Sequence, residues 1–150
     1  MRFIVLLAII SLSILSSYGS ITEKYVTTVA FNWSTAQVET ANNPNIVGPV
    51  GELGVYQFTS TTWYQHTKVP FSKAVNTEIA TVVAKRHTDW ICKQLLRKGI
   101  TPNAEWIALC WHAGVEAATS GRVSAKARDH ARRVNALYQD RLSHIRKQSA

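Results

Sequence analysis

Acidic residues are scarce in this chain: nine Asp and Glu stand against seventeen Lys and Arg in 150 residues, a formal net charge of +8. Such a balance draws a protein to anionic surfaces, which include cell walls, lipid headgroups and nucleic acids, and charge alone does not choose among them. The chain lacks any nucleic-acid motif. The basic residues near its end, Arg128, Arg132, Arg133, Arg141, Arg146 and Lys147, are interleaved with an apolar stripe and read as a solvated helix face. Cysteine is scarce too, with Cys92 and Cys110 alone. After export the two either form a disulfide, worth about 2–4 kcal/mol, or stay as buried thiols, since both lie in apolar helical sequence and a bridge needs Cα atoms within about 7 Å. A zinc site drawn from Cys92, Cys110, His112 and His130 has no recognised spacing, so neither a metal nor a cofactor is expected. No internal repeat, low-complexity tract or run of alternating strand residues is visible, which points to an all-α chain.

Only one long apolar run is present. Arg2 precedes the apolar stretch Phe3 to Leu15, and Ser17 and Gly19 supply small residues at a cleavage point. Residues 1–19 therefore read as a secretory signal peptide, too short for a comfortable membrane span, with one domain over residues 20–150. Removing that peptide leaves a net charge of about +7. The mature product is expected to be monomeric and soluble, secreted or periplasmic, and its 46% hydrophobic content supports a single core.

Helical periodicity carries the rest. From Thr22 to Val38, the residues Val26, Val29, Ala30, Trp33 and Ala36 recur at steps of three and four, giving a helix that ends at Glu39. Thr59 or Ser60 caps a short helix through Trp63. Asn76 caps a longer one whose face holds Ile79, Val83, His87, Trp90, Ile91 and Leu95, stopped by Gly99. Thr101-Pro102 opens the next, ending near Gly114. Ser124 caps the last, with Ala127, Ala131, Val134, Tyr138, Leu142 and Ile145 on one side.

The stretch Glu39 to Phe58, ETANNPNIVGPVGELGVYQF, differs from all of these. It leaves an apolar helix on a carboxylate and passes through Pro44, Gly48, Pro49, Gly51 and Gly54, residues that give a shaped turn system. A carboxylate between an apolar helix and such a loop sits where burial favours its protonated form.

The order of these residues resembles the signature of the soluble lytic transglycosylases, a family of the lysozyme-like superfamily, whose usual form is E-S-x-x-N-P-x-x-x-S-P-x-G-A-x-G-L-M-Q. Glu39, Asn43, Pro44, Pro49, Gly51, Gly54 and Gln57 fall in register without a gap, while Thr40 replaces Ser, Gly48 replaces Ser, Glu52 replaces Ala and Val55-Tyr56 replace Leu-Met. Two further segments are similar to the family's. Ala108 to Gly114 places Trp111 and His112 where the family has Tyr and Asn, and Arg128 to Val134 places His130 on the family's second Tyr.

The resemblance implies a lysozyme-like α-helical fold. It also implies cleavage of the β-1,4 bond between N-acetylmuramic acid and N-acetylglucosamine in peptidoglycan glycan strands, leaving a 1,6-anhydro end, with no cofactor. Glu39 would be the single acid and base. Trp33, Tyr56 and Trp111 are candidate apolar walls, and Thr40, Tyr56, Gln57, Trp111, His112 and His130 are candidate substrate-binding or supporting residues. Glu52 is the only nearby second acid; if it faces Glu39 across a sugar site, hydrolysis as in a muramidase becomes credible. A wall-binding or assembly protein that kept the cleft and lost turnover is the rival of a different class.

Overall fold

The computed structural model of the chain describes residues 27–148. The signal-peptide expectation for residues 1–19 and the expected helix start at Thr22 lie outside the described residues. Among the described residues the chain is all-α. Helix α1 covers residues 27–40, and it is followed by α2 (Ser60–His66), a 3-10 turn (Phe71–Val75), α3 (Thr77–Arg97), α4 (Ala104–Ala113), α5 (Val115–Thr119) and α6 (Ala125–Gln148). Isolated bridges pair Val47 with Leu53 and Leu53 with Phe58 in the loop after α1.

Each boundary has a local cause. The Thr59 hydroxyl accepts from Thr62 N at the start of α2, Asn76 Oδ1 from Ile79 N at the start of α3, and Ser124 Oγ from Ala127 N at the start of α6. Helix α4 differs from expectation. Its cap is Asn103, whose Oδ1 accepts from Trp106 N at 2.8 Å, so the helix begins two residues beyond Pro102. Gly114, at φ 81°, ends α4 and at once starts α5, a helix that a glycine read only as a stop signal does not reveal.

Helix α1 runs between two apolar clusters. Ala36 joins Val55, Tyr56, Phe58, Trp63 and Val83 on one side, while Ala30 and Phe31 join Ala108, Ala131, Val134, Tyr138 and Leu142 on the other. Its buried face keeps Ala30 and Ala36 of the expected stripe and departs from it elsewhere. Val29 is 41% exposed, whereas Phe31, Ser34 and Thr35 are buried. The hydroxyls of Ser34 and Thr35 donate back to the Ala30 and Phe31 carbonyls within the helix, which lets these residues pack as small apolar ones. Trp33 lies at the surface end of the core with the Arg141 guanidinium 4.9 Å above its ring. Trp63 is fully buried, its indole N–H donating to Val69 O, so it belongs to the core and offers no platform to a sugar.

Cys92 on α3 and Cys110 on α4 are not joined in a disulfide. Burial and the neighbouring Cys92 push the Cys110 thiol up to about 11.

Candidate functional site

The loop after α1 is built by its own backbone. Ala41 and Asn42 take left-handed conformations, and their N–H groups return to Gln37 O and Ala36 O, closing the helix at Thr40, one residue past Glu39. The Thr40 hydroxyl lies 3.2 Å from both Ala36 O and Val55 O, so it ties the helix end to the far side of the loop. Leu53 and Phe58 exchange two backbone hydrogen bonds, and Gly48 N donates to Glu52 O. Gly54 has φ 75°, and a Cβ there would run into the Ala74 carbonyl, so only glycine fits. Gln57, itself at φ 48°, donates from Nε2 to Gly54 O and Ile46 O and braces both turns.

These contacts set one wall of a cleft of about 440 Å³. Glu39, Glu52 and Gln57 line it from α1 and the loop, and Trp111, His112 and His130 line it from α4 and α6. Glu39 and His130 are nearly covered, with side-chain exposures of 15% and 10%, and Glu39 Oε1 lies 3.0 Å from His130 Nε2. The contact is close without the alignment of a hydrogen bond, and both nitrogens of His130 are buried with no hydrogen-bond partner. The His112 ring stacks on His130 with centroids 4.5 Å apart. The pKa of His112 is lowered, first by the part of its ring that packs into the cleft and then by His130, with Glu39 opposing. Glu52 Oε2 accepts from Val50 N at 3.0 Å, which fixes the second acid on its own loop.

The geometry groups His112 and His130 with Glu39, not with the two cysteines. Tyr56 does not reach the cleft surface. It is buried, and its hydroxyl donates to Thr81 Oγ1, whose own proton goes to Thr77 O. A buried Tyr needs a polar partner and finds it in the core, where burial raises its pKa. Its ring supports Trp111 from behind, at 6.2 Å between centroids. Trp33 likewise is absent from the cleft lining.

Among the cleft residues that escaped the sequence reading, four bear on its chemistry. Phe58 and His87 form the floor beneath Trp111, with ring centroids 5.5 and 4.6 Å from it. Lys126 and Arg133 bring two cations to the rim. They lie four residues before and three after His130, on one face of α6, so helical spacing from His130 identifies them. His87 bonds His66 Nε2 through Nδ1 at 2.9 Å, and burial followed by His66 lowers its pKa to about 3.

A second hollow, of about 470 Å³, lies between α1, α3 and α4 near Phe31, Cys92 and Ile107. Its one carboxylate, Asp89, is paired with Lys85 on the surface of α3. The cleft at Glu39 is the chemically equipped one. Comparison with known proteins finds no family model, no curated protein and no solved structure that matches the chain.

Proposed function

We propose that the chain is an exported peptidoglycan lytic transglycosylase that cleaves the N-acetylmuramic acid–N-acetylglucosamine bond with Glu39 as its acid and base. The observation that carries this reading is the placement of Glu39: a nearly covered carboxylate at the end of a core helix, opening on a cleft lined by Trp111, Phe58 and Gln57. A glycan needs apolar ring faces to stack on and polar groups to orient its hydroxyls, and this cleft has both.

The chemistry balances without water. Protonated Glu39 gives its proton to the glycosidic oxygen as the C1–O bond breaks, and the N-acetyl oxygen of the muramic residue supports the anomeric carbon from the opposite face. Glu39, now ionised, takes the proton of the C6 hydroxyl while that oxygen bonds to C1. The product is a 1,6-anhydro sugar, and the acid is restored. His130, with Nε2 3.0 Å from Oε1, stands beside the carboxylate on the α6 wall. His112, Gln57 and Trp111 face the same space and would hold the sugars, and the basic surface favours an anionic envelope. The chain acts as a monomer, exported by a cleaved signal peptide over residues 1–19.

One observation favours a second reading. Glu52 lines the same cleft as Glu39, which supplies a second carboxylate able to direct a water and would make the enzyme a muramidase. Mass spectrometry of products from purified peptidoglycan decides between them. Anhydro ends, one water lighter than reducing ends, are expected; reducing ends would establish hydrolysis. Absence of any product from wild-type protein would overturn both and favour a wall-binding role, whereas equal product from Glu39→Gln would remove Glu39 from the chemistry.

A further inference from the structure

Glu39, His112 and His130 come together so that one carboxylate oxygen and one nitrogen of each ring all lie within 4.8 Å of one another. Two imidazoles and a carboxylate form a donor set suited to zinc-like divalent ions, which bind nitrogen and oxygen at about 2.0–2.2 Å. Two atoms bound to one such ion stand about 3 Å apart, and Glu39 Oε1 and His130 Nε2 are separated by 3.0 Å.

A second observation points the same way. His130 is 9% exposed, faces the cleft, and has no hydrogen-bond partner on either ring nitrogen. Buried polar atoms are nearly always satisfied, and a ring nitrogen 3.0 Å from a carboxylate oxygen is satisfied by its own proton or by a metal ion held between the two. We propose that Glu39, His112 and His130 form a binding site for a zinc-class divalent ion, with one coordination position open to the cleft.

The geometry of the rings defines what the site requires. His112 and His130 lie stacked, 23° from parallel, so convergence on one ion calls for a turn of the His112 ring. His112 is exposed at the rim and has room for it. Lys126 and Arg133 line the same cleft and oppose any cation. Binding therefore depends on nitrogen coordination, and Mg²⁺ or Ca²⁺, which take oxygen shells, do not compete. If the lytic reading holds, which this consequence alone rests on, the bound ion takes the Glu39 lone pair that must accept the C6 hydroxyl proton. Zinc would then switch the enzyme off.

Titration of untagged full-length protein with Co²⁺, followed by its visible absorption and by competition with Zn²⁺, tests the site without peptidoglycan. One saturable equivalent is expected, displaced by Zn²⁺ and indifferent to Mg²⁺. Glu39→Gln and His112→Ala should each weaken it by roughly tenfold or more, with Cys92→Ser unchanged; His112 is at the surface, so its variant keeps the fold, checked by circular dichroism. No binding by the wild type, binding unchanged in both variants, or binding lost in Cys92→Ser would overturn the proposal. A parallel assay adds Zn²⁺ during peptidoglycan digestion. Lysis unchanged at full occupancy would leave the site standing and remove Glu39 from the lytic chemistry.

Discussion

The Glu52 carboxylate occupies the space above Gly48: a Cβ on Gly48 would lie 2.8 Å from Glu52 Cδ and 2.7 Å from Gln57 Oε1. The two positions depart together from the pattern this loop resembles, where Ser stands at the first and Ala at the second. A small residue at one makes room for a large one at the other. Gly48→Ser alone should therefore destabilise the protein, by about 1–2 kcal/mol in urea denaturation, and most of that cost should vanish in the Glu52→Ala background. A double-mutant cycle with no coupling between the two sites would contradict this steric exchange.

Gly54 makes the closest backbone approach in the loop. Gly54→Ala combines φ 75° with a clash against the Ala74 carbonyl, and backbone cannot step aside as a side chain can. A loss of about 3 kcal/mol or more is expected, seen as a lower Tm and a weaker Co²⁺ or glycan response at the adjoining cleft.

The Thr40 hydroxyl is the one side-chain tie from the end of α1 to Val55 O. Thr40→Val keeps the shape and removes the donor, at a cost of about 1 kcal/mol. Thr40→Ser should restore stability and turnover together. Full activity in Thr40→Val would mean that the loop holds its position without this bond.

Stability should fall in mild acid. His87 has its folded pKa lowered from 6.5 to about 3, so the unfolded chain binds the proton more readily. The contribution is present in full above about pH 6.5 and is lost as pH falls from there toward 3. The slope is about 1.4 kcal/mol per pH unit, a loss of about 3 kcal/mol by pH 4. His66, also lowered by its burial and by Arg86, acts in the same direction. His87→Phe, with a ring that suits its neighbours Phe58 and Trp111, should flatten this part of the urea-stability profile.

Helices α3 and α6 were legible because caps and apolar spacing agree, as Asn76 with Ile79 and Ser124 with Ala127 illustrate, whereas the start of α4 and the whole of α5 were not. Helix α1 was legible as a helix, with Ala30 and Ala36 rightly inside but the rest of its buried face misread. Ser34 and Thr35 look polar on paper and behave otherwise once their hydroxyls bond the preceding turn. The Glu39–Gln57 loop was readable because its glycines and prolines cluster within a few residues, with Gly51 and Gly54 both at positive φ. Phe58 and His87 were not read as site residues, because a cleft floor arises where segments distant in sequence meet and leaves no periodic trace. Tyr56 was read as a cleft wall and substrate-binding residue, yet its ring lies behind Trp111 and Thr81 satisfies its hydroxyl inside the core.

Helix α1 is gripped on both flanks by apolar packing, and its last turn bears Glu39. The carboxylate is thus mounted on an axle that the whole protein must loosen before it can shift. Change in this chain is cheapest at the rim, where Lys126, Arg133 and His112 can be exchanged to alter what enters, while the acid itself stays where folding has set it.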